Sequence, residues 1–271
     1  MTIPSNGAFT IGDRLSPPGE SALQASANRP NAMLCAKPDC AGCGVALAAR
    51  TVIDAAIRVS RRLTVVTVTD CLKPAPNPAS RAVTFKSATA VKAAEGAAPI
   101  LVHTDEASDG LEALAGRDML LVCYDKTTGE RPQLFQEIIA APGLRYGATA
   151  TIADIRDLES KIAKAMALTG PRLVVVLAPC PLDCGSQPQD TVRLARLAVE
   201  SGLFPVLEAE NGRITRSRRI RRRLPVRDVL KLQARFADVL KVDGDPRLAA
   251  LQAAANDHIR AFNLLRRDGE V

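Results

Sequence analysis

Three observations predict an α/β fold, a mostly parallel sheet with helices on both faces and helices at the C-terminal end. Apolar, β-branched runs without polar alternation recur at residues 63–68, 99–103, 119–124 and 173–178. Such runs fit strands buried on both faces. Stretches with helical periodicity lie between them, the pattern of strand–helix–strand units. Finally, Cys71, Asp105, Asp125 and Cys180 all fall just after these runs. In parallel sheets, ligands sit at the carboxyl ends of strands.

The elements are read in order. Residues 1–30 are rich in Pro, Ser, Asn and Gly without clear periodicity and are expected to form a flexible arm. Residues 44–62 read as a helix, with Ala46, Leu47, Ile53, Ala56 and Ile57 on one face and arginines at its C-terminal end, where the dipole favours cations. The loop after the first strand holds Pro74, Pro76 and Pro78 and is stiff and non-helical. Residues 87–98 read as a small-residue helix with Ser87 as N-cap. A short helix is expected near 110–114, a longer one over 152–168, and another over 190–201 closed by Gly202. A last strand is placed at 203–208, and two terminal helices at 225–241 and 246–266. The chain divides into the arm (1–30), an α/β domain (31–212) and a basic linker with C-terminal helices (213–271).

With 271 residues and 47% hydrophobic content, the chain can bury a large core as one large or two small domains. Aromatics are only 3%, so alanine and aliphatic side chains must fill that core. No apolar run approaches the roughly 20 residues that span a bilayer, and the N-terminus has no secretory pattern. The expected location is the cytoplasm. There, seven cysteines serve more readily as ligands, catalysts or buried apolar residues than as disulfides.

The stretch Cys40-Ala-Gly-Cys-Gly44 points two thiols at one centre from a tight turn that opens a helix. The helix N-terminus is expected to favour thiolate there. Two cysteines at this spacing fit zinc, redox and iron–sulfur chemistry alike. Cys71 and Cys180 add two thiols from two further loops, and four thiolates can enclose one metal centre, with zinc and iron–sulfur both open. Cys123 reads as a core residue and Cys184 as packing near the site. His258 reads as a surface residue. Seven arginines crowd residues 213–223. A solvated linker and a docking surface for an acidic partner are both compatible with that run. Nucleic-acid binding is disfavoured because no aromatics interleave with the charges.

These pieces resemble the β subunits of pyruvate-type 2-oxoacid:ferredoxin oxidoreductases, over residues 40–261. The resemblance is carried by Cys40-Ala-Gly-Cys-Gly-Val-Ala-Leu-Ala-Ala-Arg50, by Val68-Thr-Asp-Cys-Leu72 and by Tyr146-Gly-Ala-Thr-Ala-Thr-Ile152. Its most specific block is Gly170-Pro-Arg-Leu-Val-Val-Val-Leu-Ala-Pro-Cys-Pro181, continued at 191–205, at Glu210-Asn-Gly212 and near 224–236. The resemblance implies a thiamine-diphosphate-binding-type fold. It also implies a [4Fe–4S] cluster on Cys40, Cys43, Cys71 and Cys180 that passes electrons from a thiamine-bound intermediate to ferredoxin or a similar acidic carrier. Partner α subunits, with γ or δ subunits, are implied too, so that this chain alone is inactive on 2-oxoacids.

The thiamine diphosphate and Mg²⁺ site departs from the family pattern. The family's Gly-Asp-Gly-Gly is replaced by His103-Thr-Asp-Glu-Ala-Ser-Asp109, where Asp105 alone stands in for the metal-binding aspartate. After Tyr124-Asp125 the family's oxygen ligand is replaced by Lys126. An ammonium has no lone pair for Mg²⁺, which takes oxygen donors. The expectation is a divergent subunit that keeps the cluster and has lost or rebuilt the thiamine site at Asp105, Asp125 and Lys126, with Lys126 pairing to Asp105 or Asp125. The alternative, from another class, is a non-catalytic scaffold or docking subunit stabilised by zinc or a cluster.

Overall fold

A computed structural model describes residues 40–60, 63–67, 114, 116–126 and 143–265, and the backbone of strands at 33–35, 74–76, 83–87 and 100–104. The chain opens with strand β1 (Met33–Cys35), then helix α1 (Gly44–Val59) and strand β2 (Leu63–Thr67). Strands β3 (Pro74–Pro76), β4 (Val83–Ser87), β5 (Ile100–Thr104), β6 (Met119–Asp125) and β7 (Tyr146–Thr151) follow. Helix α2 (Ile155–Ala167) leads to β8 (Arg172–Leu177), the single turn α3 (Pro181–Cys184) and helix α4 (Thr191–Ser201). The chain continues through β9 (Leu207–Glu210), β10 (Arg213–Ser217), the short α5 (Val226–Leu230) and α6 (Pro246–Ala261).

Among the described residues, β1 and β3 pair antiparallel, and an eight-stranded sheet runs in the order β10-β9-β7-β8-β6-β5-β2-β4. Every described pairing from β7 to β4 is parallel, and β9 alone runs against its neighbours. The expected α/β class with a mostly parallel sheet is what the molecule has. The centre of the sheet explains why. All of β7 and β8 is buried, as is β6 up to Tyr124. Each fully buried valine or leucine there contributes roughly 1.5–3 kcal/mol of transfer free energy, and no polar alternation interrupts the stripe.

Arg172 is an exception inside that stripe. It is 2% exposed. Its guanidinium donates to the carbonyls of Ala165 at 3.1 Å and Leu168, and to Asp118 at 2.6 Å. It therefore satisfies the carbonyls that end α2, where the helix dipole favours a cation. Lys161 of the same helix is buried too, with its ammonium 2.8 Å from the Thr149 carbonyl and 2.6 Å from Asp157. Burial lowers its pKa, and the Asp157 carboxylate opposes that fall.

Several elements differ from the sequence expectation, each for a physical reason. Residues 203–205 are apolar and buried, yet the last sheet strands start at Leu207. Phe204 N donates to Ala198 O, and the Pro205 carbonyl is taken by the Thr149 hydroxyl. Burial without free ladder groups mimicked a strand. The expected helix over 225–241 is α5 followed by two 3₁₀ turns, because Ala234 N donates to Gly185 O rather than continuing the helix. The run of arginines expected as a linker begins as the edge strand β10, paired with β9 from Arg213↔Glu210 to Ser217↔Leu207. Strand β4 was not foreseen. Its Val-Thr-Phe-Lys-Ser alternation is that of an edge strand, and Ser87 closes it. The expected arm at 1–30 and the helix positions 88–98 and 110–113 lie outside the described residues.

His258, expected at the surface, is buried, with Nδ1 2.9 Å from the Gly202 carbonyl and its ring 6.1 Å from that of Phe262. Gly202 ends α4 at φ +84, and a Cβ there would lie 2.8 Å from Ile259 Cγ1. Gly202→Ala is expected to lower stability by about 1–3 kcal/mol, read from urea unfolding.

Glu208 provides a pH test. Burial pushes its carboxyl up, but hydrogen bonds and charge from Lys164, together with the Tyr146 hydroxyl, bring it below its ordinary 4.5. A depressed carboxylate stabilises the fold above its unfolded pKa and loses that contribution as pH falls through the folded value. Lys164→Met should therefore be less stable than the parent at neutral pH. The gap should narrow on acidification below about pH 4.3, as followed by thermal melts across pH.

Candidate functional site

The turn that carries Cys40 and Cys43 is closed by a hydrogen bond from Cys43 N to Cys40 O at 3.2 Å. Gly42 supplies the φ of +68 that the turn needs. Cys43 caps α1, its Sγ accepting from Ala46 N at 3.4 Å. The glycines on either side of Cys43 also fix where the turn sits. A Cβ on Gly42 would lie 2.4 Å from Pro188 O, and one on Gly44 would lie 2.5 Å from Pro179 O. The Thr191 hydroxyl, at the start of α4, donates to Gly42 O at 2.8 Å. The cysteine turn is thus wedged between Pro179 and Pro188, which bracket the segment bearing Cys180 and Cys184.

That segment is tied in turn to the end of β6. Ala178 N donates to Asp125 O at 2.8 Å and Cys180 N to Lys126 O at 3.2 Å. Cys180 caps α3, which stops at Gly185 in the left-handed region. Cys184 is fully buried, and its thiol donates to the same Lys126 carbonyl at 3.4 Å. Burial, opposed by the nearby Arg235 charge, pushes the Cys184 thiol up to about 11. It is a packing thiol held neutral beside the site. Cys123 is buried in β6, as its sequence context suggested.

The electrostatics differ from the sequence expectation at Cys43. The amides of Ala46 and Val45 do favour its thiolate, but burial outweighs them, and the charges of Cys40 and Cys180 push in the same direction as burial. The net effect raises the thiol. A cationic centre would reverse this balance, because a coordinated thiol is deprotonated outright. Cys43 thus lies beside Cys40 in its own turn and near the Cys180 segment, against which Gly42 and Gly44 pack.

Cys71, the fourth expected ligand, and Asp105 lie outside the described residues, as do the side chains of Cys35 and His103. Among the described residues, no three His, Cys, Asp or Glu side chains are grouped to hold a metal ion. The described cysteines form no disulfide with one another. In chemistry, though not in a described grouping, the donor set suits a thiolate-bound centre. Soft thiolates are the described donors, and two buried hydroxyls, Thr67 Oγ1 on the strand before Cys71 and Ser186 Oγ on the Cys180 segment, lack hydrogen-bond partners among the described residues.

Asp125 is the last residue of β6 rather than a loop residue beyond it. Lys126 lies 3.8 Å from Asp183 on α3, a partner the sequence did not suggest. The sequence reading used the glycine between the cysteines for the turn but passed over its packing and that of Gly44, as well as Thr191 and Ser186. The alternation of glycine with cysteine in residues 40–44 was the available signal, because glycine in a turn marks close backbone approach.

No family model matches the sequence. The chain is 38% identical over 128 residues to pyruvate synthase subunit PorB of Methanosarcina barkeri, a match that spans 47% of this chain and 43% of that subunit. It is 30% identical over 267 residues to pyruvate synthase subunit PorB of Methanocaldococcus jannaschii, spanning 75% of this chain and 88% of that one. It is 36% identical over 109 residues to ketoisovalerate oxidoreductase subunit VorB of Pyrococcus abyssi, spanning 40% of this chain and 35% of the relative. With the match to the Methanocaldococcus jannaschii subunit spanning 88% of that relative, the chain belongs to the family of 2-oxoacid:ferredoxin oxidoreductase β subunits.

Proposed function

We propose that the chain is the electron-transfer β subunit of a 2-oxoacid:ferredoxin oxidoreductase complex, with a [4Fe–4S] cluster held by Cys40, Cys43, Cys71 and Cys180. The observation that carries this reading is the wedging of Gly42 and Gly44 against Pro188 and Pro179, which brings Cys40 and Cys43 to Cys180. Such a cluster supplies one-electron transfer. The residues of this chain would position the thiols: Cys180 and the neighbouring Cys184 are buried, and Cys40 and Cys43 are half-buried.

In this reading the thiamine diphosphate site is rebuilt. The Lys126 ammonium faces Asp183, and its carbonyl is taken by Cys180 and Cys184. The segment after β6 is thus committed to the cysteine loop, and its side chain brings a cation where Mg²⁺ would need an oxygen. The complex would supply an α subunit, with γ or δ subunits, and the electrons would leave to a ferredoxin or another acidic carrier. No helix among the described residues is long and apolar enough to cross a membrane, and we place the complex in the cytoplasm.

Anaerobic purification with iron and sulfide assay tests the cluster. About four irons per chain and an EPR signal after dithionite reduction are expected. Zinc in place of iron would favour the scaffold reading instead. Cys43→Ala should lose most of the iron. Gly44→Ala, which leaves every cysteine in place, should also lower bound iron several-fold with the far-ultraviolet circular dichroism unchanged, because its methyl group separates the turn from Pro179. A second titration, with thiamine diphosphate and Mg²⁺, should show no binding in the low micromolar range. Tight binding there would overturn the rebuilt-site reading while leaving the cluster reading intact.

A further inference from the structure

The arginines between Arg213 and Arg223 take no part in the cysteine centre, yet the fold carries several of them to its side. Strand β10 is antiparallel to β9, and β9 to β7, so β10 runs in the same direction as β7 and β8. Cys180 follows the carboxyl end of β8, and Arg218 to Arg223 follow the carboxyl end of β10. Both segments leave the sheet at the same end. Helix α4 joins the two regions. Its first residue, Thr191, donates to Gly42 O in the cysteine turn at 2.8 Å. Arg196 lies five residues further, about 7.5 Å along the helix axis, and lines a depression with Arg218 and Arg221. Glu200, on the next turn of α4, accepts from the amides of Arg221 and Arg222 at 3.1 and 3.0 Å.

These arginines present charge to solvent. Arg196, Arg221, Arg222 and Arg223 are exposed. Arg218 is half-buried against Asp154 at 2.6 Å, and Arg223 donates to Asn256 at 2.7 Å. Among the described residues, no carboxylate pairs with the guanidiniums of Arg196, Arg221 or Arg222. A neighbouring depression, which shares Asp154, Arg218 and Arg221 with the first, is lined by six cationic side chains against three carboxylates. Charges on an edge strand keep other strands from pairing with it. That role does not account for Arg196, which is on a helix, or for Arg221 and Arg222, which lie past the strand.

We propose that the surface running from Arg196 on α4 to Arg221 and Arg222 after β10 docks an acidic protein, the electron carrier that the cysteine centre serves. The identity of the carrier rests on the cluster reading above, and the surface rests on charge, exposure and its place at the cysteine end of the sheet. A cationic face beside a redox centre steers a negative partner to it and fixes its register. One electron then leaves the reduced centre and reduces the docked carrier. The charges are spread over two elements on an outward face, which suits the face of a protein. Single-stranded nucleic acid is a poorer match, because no aromatic side chain among the described residues is exposed to stack on bases.

The test is isothermal titration of the full chain with an oxidised ferredoxin of net negative charge, at roughly 0.1 and 0.5 M salt. Binding should weaken by about tenfold or more at the higher salt. Arg196→Glu and Arg221→Glu, which break no described ion pair, should each weaken binding at the lower salt by about tenfold with the melting temperature unchanged. Arg213→Glu is the control. It is exposed at the other end of β10, about 16 Å from Arg218 and beyond the screening length, and should change affinity by less than about twofold. The proposal is overturned if Arg196→Glu and Arg221→Glu both leave affinity intact, if Arg213→Glu weakens binding as much as they do, or if a single-stranded RNA binds more tightly than the ferredoxin. Docking does not require iron in this chain. A chain without iron that still binds the ferredoxin through Arg196 and Arg221 would overturn the cluster reading and support the surface, whereas an iron-loaded chain indifferent to both substitutions would overturn the surface alone.

Discussion

The contact between two glycines and two prolines is the constraint on which the rest of the site depends. Gly42 and Gly44 come so close to Pro188 and Pro179 that no side chain fits between them. Close backbone approach has a conformational cost, since glycine loses the most freedom on folding. That cost is offset by the Thr191 hydrogen bond to Gly42 and by the burial of α1, whose inward face is fully enclosed from Ala48 to Ala56 apart from small exposures at Thr51, Asp54 and Ala55. Through this contact the start of α1 and the loop after β8 become one rigid unit. The thiols on both are then positioned by backbone packing rather than by their own flexible bonds.

The same unit reaches the end of β6. The carbonyl of Lys126 receives both the Cys180 amide and the Cys184 thiol. A shift of the Lys126 carbonyl is therefore felt at Cys180. Here a lysine occupies the linking position, and its charge is directed to Asp183 on the cysteine segment.

Burial competes with favourable partners at several points, and the outcome depends on the partner. At Cys43 two amides of a helix N-terminus are outweighed by desolvation and by neighbouring thiols. At Lys161 desolvation lowers the ammonium even with Asp157 beside it. Glu208 shows the opposite result, because Lys164 and Tyr146 together exceed the cost of burial. The pattern follows from dielectric: removal from water disfavours any charge, and only a direct, well-placed partner restores it.

The sequence by itself determined the fold class and the core strands, because apolar runs buried on both faces leave an unmistakable composition, as in Leu173 to Leu177. It also singled out Cys40, Cys43 and Cys180 as candidates, since a turn and strand ends are local features. Tertiary structure alone decided the rest. The apolar segment at 203–205 was mistaken for a strand because burial and ladder pairing leave the same composition, and only the positions of Thr149 and Ala198 separate them. His258 looked exposed on a helix because nothing local announces the Gly202 carbonyl against which it packs. The arginine run looked like a solvated linker, since its convergence on Asp154 and its pairing as β10 depend on the direction of a strand far away in sequence. The roles of Gly42 and Gly44 likewise depend on Pro179 and Pro188, whose proximity is a long-range contact that no local pattern encodes.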